Sequence, residues 1–201
     1  MPFQNASKNV IFFKHGNPPC LLFFPFTYLI FQILLVLKIC LQSYVLIFLY
    51  SCITLIILAF ALDLSSLSSV RNFSQEVLKI AGDKIDILIN NAGIMMIEET
   101  ITVDGNEKQM QVNHIGHFLL TQLLMPNLIR GSARIINVSS LAHTWTNSFD
   151  LHDLNMTKGG YGRIQAYAKS KLANILFTKE LHRRFKGTLL ITYIRILLLY
   201  Y

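Results

Sequence analysis

A tyrosine and a lysine four residues apart, Tyr167 and Lys171, form the pattern with the clearest chemistry in this sequence. On a helix, positions i and i+4 share one face, so the phenol and the ammonium would be neighbours. A nearby cation favours the phenolate and is expected to lower the tyrosine pKa from about 10 towards neutral pH. Such a phenol can exchange a proton with an alcohol or a carbonyl. By itself the motif is weak evidence, because this spacing often arises by chance.

Alternating helices and strands must position this pair. The spacing of apolar residues predicts three helices and three strands that alternate along the chain. The helices run from Ser65 or Ser66 to about Ala81, from a capping box of Asp104 and Glu107 to about Leu124, and over 164–185. The strands lie over 85–89, 133–138 and 189–194. Alternation of this kind indicates an α/β domain built on a parallel sheet.

Polar side chains follow two of the predicted strands. Asn90 and Asn91 come directly after the first of them, and Ser139 and Ser140 come after the second. Ligands of parallel sheets bind beyond the carboxyl ends of the strands. We therefore expect both clusters to lie at one edge of the sheet, where a candidate site would form.

Taken together, these motifs resemble the short-chain dehydrogenase/reductase family, and most of all its retinol dehydrogenase-like branch. The phrases that carry the resemblance are NNAGIMM, VNHIGHFLLT, RIINVSSLAH, FDLHDLN and YAKSKLANILFTKEL, within about Asp63 to Gly187. The resemblance implies a Rossmann-like, doubly wound parallel sheet. It also implies an NAD(P)-dependent oxidoreductase that interconverts an alcohol and a carbonyl, with retinol and retinal or another lipid-like pair as substrate.

The resemblance implies catalytic roles for four residues and assigns no metal ligand. Tyr167 would be the acid and base, and Lys171 would lower the Tyr167 pKa and bind the nicotinamide ribose. Ser140 would hydrogen-bond the substrate oxygen. Asn113 would hold a water molecule that relays protons to Lys171, although a purely structural role as a helix-kinking residue stays open for it.

The implied cofactor is NADP or NAD, with NADP favoured by the resemblance alone. The residues that would bind it are Asp63, Leu64, Asn90, Ala92, Gly93, Tyr167 and Lys171. Among these, Asp63 would contact the adenine ring, and Gly93 would permit a close approach that a side chain would block. Asn90 could instead only end a strand. Met95 and Met96 could contact substrate or pack in the core.

Two parts of the family pattern are missing from the sequence. No TGxxxGIG-type loop precedes Asp63, since Gly16 is the only glycine before it, and no Pro-Gly pair follows Thr188. The glycine loop lets the backbone approach the pyrophosphate at a helix N-terminus. We therefore expect an incomplete doubly wound sheet and impaired hydride transfer. The alternative is a non-catalytic, membrane-anchored homologue, or a mis-predicted fragment, that binds no cofactor.

The first 62 residues differ in composition from the rest, which places a division between an apolar segment, 1–62, and a partial dehydrogenase domain, 63–201. Gly16 to Leu37 and Ile39 to Leu62 carry no charged residue, and the second run is long enough for a membrane helix. The segment is either a membrane anchor, for example in the endoplasmic reticulum or mitochondrial membrane, or sequence foreign to the family from gene prediction or splicing. Alternatively, residues 57–62 form a strand ahead of Asp63.

The remaining sequence features indicate neither nucleic-acid nor metal binding. The net charge is +7, and half of the Lys and Arg residues lie between Lys158 and Arg195, mostly on a helix-like stretch, but no nucleic-acid motif accompanies them. His114 and His117 form an HxxH pair without a carboxylate or cysteine cluster nearby. The resemblance also implies a homodimer formed through the helices that carry Asn113 and Tyr167, since members of the family often pair in this way.

Overall fold

The computed structural model describes residues 10–15, 45–51, 54–146, 149–158, 160–187 and 191–197. Within these residues one sheet contains six strands, in the spatial order β3-β2-β1-β4-β5-β6. The strands are β1 (Val10–His15), β2 (Val45–Ser51), β3 (Thr54–Phe60), β4 (Ile87–Asn90), β5 (Arg134–Ser140) and β6 (Ile191–Leu197). The strands β4, β5 and β6 run parallel to one another, which confirms the parallel sheet predicted after Asp63.

Helices alternate with these parallel strands. They are α1 (Leu67–Ala81), the single turn α2 (Lys108–Met110), a π-helical turn (Gln111–Ile115), α3 (Gly116–Arg130), a 3-10 turn (Leu141–Trp145) and α4 (Arg163–Arg184). Every helix and strand predicted from the sequence after Asp63 is present, and the ends differ by a few residues. Ser66 is the N-cap of α1, and its hydroxyl accepts a hydrogen bond from the Ser69 N–H, as the sequence predicted.

The predicted capping box of Asp104 and Glu107 is wrong, because the two carboxylates serve different helices. Glu107 itself is the N-cap of α2, and its carboxylate accepts hydrogen bonds from the N–H groups of Gln109 and Met110. The Asp104 carboxylate instead accepts the N–H of Leu67 at 2.8 Å, at the start of α1. A pattern at fixed spacing cannot show that a side chain caps a helix 37 residues away in sequence.

The helix predicted to end at about Leu124 continues through Pro126 to Arg130. A proline inside a helix removes one backbone donor and normally kinks or ends it. Here Leu124 and Leu128, on either side of the proline, are completely buried in the core. Packing of this stripe therefore outweighs the missing hydrogen bond, and Pro126 itself is exposed to solvent.

The strands before Asp63 depart from the fully parallel sheet that was expected. The strand β1 is parallel to β2 but antiparallel to β4, and β2 and β3 are antiparallel to each other. The predicted membrane helix over 39–62 is also wrong where the structure describes it, since β2 and β3 occupy most of that run. Leu, Ile, Val and aromatic residues favour strands as readily as apolar helices.

The alternative strand over 57–62 overlaps β3, which ends at Phe60. Among the described residues, none of the helices has the length and apolar character needed to cross a membrane. The other predicted apolar run, 16–37, lies outside the described residues. The division of the chain at residue 62 stays a prediction.

The core lies between the parallel strands and helices α1, α3 and α4. Its completely buried side chains include Val70 and Val77 of α1, Leu120 of α3, Leu88 of β4 and Ile135 of β5. Burial of each such side chain contributes about 1.5–3 kcal/mol to folding. This packing holds the carboxyl ends of β4 and β5 at fixed positions relative to the first turns of α4.

Candidate active site

Tyr167 and Lys171 lie one turn apart on α4, facing the end of β5. The Lys171 Nζ atom lies 5.6 Å from the centre of the Tyr167 ring, as their i, i+4 spacing predicts. Only 7% of Tyr167 and 4% of Lys171 is exposed to solvent. The ammonium donates a hydrogen bond of 3.4 Å to the Val138 carbonyl on β5. The pair is therefore buried beside the strand, with few hydrogen-bonding partners for the lysine.

Burial has the larger influence on the protonation of both groups. It raises the pKa of the Tyr167 phenol, and a hydrogen bond with Ser140 lowers that pKa in part. It lowers the pKa of Lys171 to about 8. The expected lowering of the Tyr167 pKa is thus wrong in direction for this structure. A nearby cation favours the phenolate, but the loss of water on burial penalises the phenolate and the ammonium alike, and this second effect is the larger one here.

Ser139 and Ser140 end β5 and have separate roles. Ser140 is 1% exposed, its hydroxyl bonds with the Tyr167 phenol, and it accepts the N–H of Ala142 at 3.3 Å. The Ser139 hydroxyl donates to the backbone carbonyl of Lys171 at 2.7 Å. One serine therefore faces the phenol, and the other attaches α4 to the strand. The hydrogen bond from Ser140 to a substrate oxygen stays a prediction.

Asn113 lies in the π-helical turn and is completely buried. Its side-chain oxygen accepts the N–H of Ile94 at 2.8 Å, and its amide nitrogen donates to the Ile94 carbonyl and to the Ser170 hydroxyl, both at 2.9 Å. Asn113 therefore clamps the loop after β4 to α4. The water-holding role implied for it stays a prediction, and the geometry also accommodates the structural alternative of a distorted helix.

Gly93 lies where the loop after β4 passes the buried lysine. A methyl group on Gly93 would lie 3.1 Å from the Asn113 side-chain oxygen and 3.3 Å from the Lys171 Nζ. Real side chains rarely make contacts this close. The absence of a side chain thus lets the loop pass close to Asn113 and Lys171, while the cofactor contact expected of Gly93 stays a prediction.

Asn90 makes hydrogen bonds inside the protein. Its amide donates to Asn137 on β5 at 2.8 Å and to Thr121 on α3 at 3.1 Å, and the Asn137 amide donates to Thr178 on α4 at 3.0 Å. These buried bonds cross the sheet and connect both helices to it. Asn90 and Ala92 are each 1% exposed, so their expected contact with a cofactor would involve little side-chain surface.

Asp63 and Leu64 connect β3 to α1. One Asp63 carboxylate oxygen accepts the N–H of Ser65 at 3.0 Å and its hydroxyl at 2.7 Å, which forms a tight turn ahead of the helix. Leu64 is 1% exposed and packs in the core against Gly116. The adenine contact expected of Asp63 stays a prediction.

The HxxH pair is used for packing. His114 bonds through Nδ1 to the Asn174 side-chain oxygen, and His117 donates from Nδ1 to the Asn113 carbonyl. Burial lowers the pKa of both imidazoles, to about 3 for His117. Across the described part of the chain, no group of three or more potential ligands could hold a metal ion.

Comparisons with known proteins agree with this geometry. A model of the short chain dehydrogenase family matches residues 52–149. Human retinol dehydrogenase 13 is 49% identical over 128 residues, which are 63% of this chain and 38% of that protein. Human retinol dehydrogenase 12 is 49% identical over 134 residues, 66% of this chain and 41% of that protein. Residues 52–149 belong to the short-chain dehydrogenase family.

The chain spans about two fifths of the length of the curated relatives it matches. Among solved structures, a crystal structure of an uncharacterized protein from Mycobacterium paratuberculosis is 38% identical to it, with a TM-score of 0.57. That match covers 83% of this chain and 54% of the other. The family of the chain and the Rossmann-like fold of its described parallel part therefore follow from sequence and structure together.

Several buried polar residues near the site are not indicated by the sequence motifs. Asn174 donates to the carbonyls of Asn113 and Val138, and Gln109 and Gln111 are completely buried. Two signals could have indicated them. Asn174 lies one turn after Lys171 on the same helix face, and amide side chains alternate at 109, 111 and 113 at the start of an otherwise apolar helix.

Proposed function

We propose that this chain carries the proton-transfer half of an NAD(P)-dependent oxidoreductase that interconverts a lipid-like alcohol and its carbonyl, such as retinol and retinal. The observation that carries the proposal is the buried contact of the Tyr167 phenol with Ser140, with the Lys171 ammonium beside the ring. A phenol and a hydroxyl converging on one point suit a carbonyl oxygen, which needs a proton donor and an orienting hydrogen bond.

In the proposed reaction, Tyr167 donates its proton to the carbonyl oxygen, or takes the proton from the alcohol in the reverse direction. Because burial raises its pKa, the phenol is protonated at neutral pH and starts as a donor. Ser140 orients the same oxygen. Lys171, held by the Val138 carbonyl, stabilises the phenolate that remains after donation.

A nicotinamide cofactor, when bound, supplies or accepts the hydride. The close approach of Gly93 to Asn113 and Lys171 supports its place beside the nicotinamide end. At the other end, the residues before Asp63 include a single glycine, Gly16, and β1 runs antiparallel to β4. We therefore infer weak binding of the pyrophosphate and impaired turnover. The preference for NADP rests on the resemblance alone.

The surroundings of the site support a lipid-like substrate. Leu141, Trp145 and Ile164 flank Ser140 and Tyr167, and between 38% and 49% of each is exposed. The Gln165 side chain donates to the Trp145 carbonyl at 3.1 Å and so keeps the 3-10 turn against α4. Exposed apolar side chains grouped at a site favour an apolar ligand.

We also propose a homodimer through α3 and α4, because Phe118 and Leu176 leave apolar surface exposed there. Phe118 packs against Phe177, with ring centres 5.2 Å apart, so the exposed surface extends across both helices. Membrane association, in the endoplasmic reticulum or mitochondria, remains an expectation from the apolar residues 1–62. Size-exclusion chromatography with light scattering would distinguish a dimer from a monomer.

The second candidate function is that of a non-catalytic homologue without cofactor. The antiparallel contact of β1 with β4 favours it. Because β1 runs in that direction, its carboxyl end lies at the edge of the sheet opposite to the edge where Asn90 lies. Ligand loops of this fold follow the carboxyl ends of parallel strands.

The test is NADPH and NADH binding by calorimetry with the full chain, followed by reduction of all-trans-retinal. We expect weak binding and slow turnover that Tyr167→Phe abolishes, while Lys179→Met, an exposed change on the same helix, has no effect. Turnover that survives Tyr167→Phe would contradict the proposed site. Absence of binding for both nucleotides would favour the non-catalytic homologue.

A further inference from the structure

Gln109 is a buried residue for which the proposed chemistry has no use. It is completely buried at the start of the helix that leads to Asn113. Its side-chain oxygen accepts the N–H of Met96 at 2.8 Å, and its amide nitrogen donates to the Tyr161 hydroxyl at 2.8 Å and the Arg163 carbonyl at 3.1 Å. One amide therefore joins the loop after β4 to the first turn of α4.

The Arg163 carbonyl links Gln109 directly to the helix that carries the site. In an α-helix, the carbonyl of residue i accepts the N–H of residue i+4, so the carbonyl of Arg163 is the partner of the Tyr167 N–H. Gln109 bonds to this same oxygen, and Lys171 follows one turn later. A displacement of the first turn would therefore move Tyr167 and Lys171 relative to Ser140.

Met96, at the other end of the link, adopts a backbone conformation that needs support. Its φ is 54°, in the left-handed region that residues other than glycine rarely adopt. The Gln109 oxygen holds its N–H in that conformation. Strained residues persist where the surrounding structure determines them, and they are enriched at functional sites.

Two further contacts, both made by Tyr161 just before α4, support the same link. The Tyr161 hydroxyl lies 3.2 Å from the Ile97 carbonyl and 3.1 Å from a carboxylate oxygen of Glu107, which is 1% exposed. Burial and the Glu107 charge raise the pKa of Tyr161 to about 12, so its hydroxyl keeps its proton at neutral pH. An exposed ion pair between Arg163 and Glu98, at 2.6 Å, adds little because water screens it.

We propose that Gln109 is a positioning residue for the Tyr167–Lys171 pair, because its amide fixes the first turn of α4 against the loop after β4. The role of that pair in proton transfer rests on the proposed function, but the positioning itself does not. Gln111 offers a matched control, since it is equally buried but its side chain, among the described residues, bonds to Thr102, Asp104 and Asn106, in the loop before α2.

The test compares Gln109→Met, Tyr161→Phe and Gln111→Met in the full chain. The first readout is amide hydrogen exchange, and the second is the pH midpoint for acetylation of Lys171 by acetic anhydride, followed by mass spectrometry. Neither readout needs a cofactor. The groups that face the lysine amine are Tyr167 on its own helix and His117 on the neighbouring one, and all three variants retain both.

For Gln109→Met we expect exchange about tenfold faster in residues 163–167 and 94–97, and a Lys171 midpoint about one pH unit higher. Tyr161→Phe should change both readouts in the same direction by less, since the Arg163 bond remains. Gln111→Met should accelerate exchange only in residues 100–107. Equal effects of the two glutamine variants on residues 163–167 and on Lys171 would overturn the proposal.

If Gln109→Met does not fold, Tyr161→Phe decides by the same two readouts, and an unchanged Lys171 midpoint in it would overturn the proposal. Where the wild type turns over, Gln109→Met should lower kcat about tenfold and leave the KM for NADPH within about twofold. A wild type that binds no nucleotide would contradict the proposed function, while the two cofactor-free readouts would still decide the role of Gln109.

Discussion

The ammonium of Lys171 lies 5.6 Å from the centre of the Tyr167 ring, and both residues are buried. Because both groups are buried, the charge state of each depends on the charge state of the other. The lysine alone is costly to charge, and the phenol alone is costly to ionise, so the pair is stabilised when a proton moves from the phenol onto an acceptor and leaves opposite charges side by side.

Stability of the wild type should increase between pH 8 and pH 10.5 because of Lys171. Its pKa falls from 10.5 in the unfolded chain to about 8 in the fold, so the unfolded state binds more protons in this window and unfolding becomes harder as pH rises. Below pH 8 the folded protein carries the full cost of keeping the buried Lys171 amine charged, about 3 kcal/mol. Urea unfolding at pH 7, 8, 9 and 10 measures it.

Lys171→Met should remove this pH dependence and make the protein more stable at pH 7, while any turnover is lost. Lys179→Met, at an exposed position of α4, is the control and should leave the increase in place. The attribution to Lys171 is wrong if Lys171→Met still gains the same stability between pH 8 and 10.5.

Acid should destabilise the protein through His117. Burial lowers the pKa of this imidazole from 6.5 to about 3, and its Nε2 atom has no hydrogen-bond partner among the described residues. A depressed pKa means that the unfolded state takes up the proton first, so stability is lost as pH falls from 6.5 towards 3, by up to about 5 kcal/mol.

His117→Phe should reduce this acid sensitivity, because it removes the buried group that must be charged on unfolding. The exposed variant His182→Gln serves as the control. Thermal unfolding followed by circular dichroism between pH 4 and 7 is the measurement. A slope of stability against pH that is identical in His117→Phe and wild type would rule out this histidine as the cause.

The elements after Asp63 were predictable because their apolar residues recur at helical or strand spacing and their ends carry local signals, such as Ser66 before α1. The strands before Asp63 were not, since Leu, Ile and Phe fill residues 45–60 without a period that separates a strand from a membrane helix. Strand direction was equally out of reach, because the antiparallel contact of β1 with β4 joins residues more than 70 positions apart.

Some features of the candidate site were likewise predictable from the sequence, and others were not. Tyr167, Lys171, Ser140 and Asn113 belong to short motifs, and the structure brings them to one end of β4 and β5. The rise in the Tyr167 pKa and the supporting role of Gln109 depend on burial and on partners distant in sequence, which no local pattern contains. The motifs therefore indicate the candidate residues, while the environment of those residues depends on how the chain folds.

Gly131→Ala should destabilise the fold by at least about 2 kcal/mol, although it lies far from any proposed chemistry. A methyl group there would meet the backbone carbonyl of Ile85, which cannot turn aside as a flexible side chain would. The φ of Gly131 is −80°, so steric overlap and not backbone conformation is the cause.

The control for Gly131→Ala is Gly162→Ala, whose methyl group would make ordinary contacts of 3.5 Å with Gln165. Urea denaturation of both variants is the measurement, and we expect the control to lie within about 0.5 kcal/mol of wild type. Equal stability of the two variants would show that the junction of α3 and β5 moves to make room.

Gly93→Ala should weaken nucleotide binding at least as much as it weakens the fold. The added methyl group would lie 3.3 Å from the Lys171 amine, which can shift, and 3.1 Å from the Asn113 oxygen, which the Ile94 N–H holds in place. We expect a loss of stability of about 1 kcal/mol. The same methyl group would fill the space proposed for the nicotinamide end, so we expect an affinity for NADPH at least about tenfold lower.

Calorimetric titration of NADPH into wild type, Gly93→Ala and Gly162→Ala measures this separation of binding from stability, with urea denaturation of the same samples. Gly162→Ala should bind as the wild type does, because Gly162 precedes α4 and its methyl group would touch only Gln165. If Gly93→Ala binds NADPH as tightly as the wild type, the nucleotide lies elsewhere, and the space beside Lys171 is a consequence of packing between Asn113 and α4.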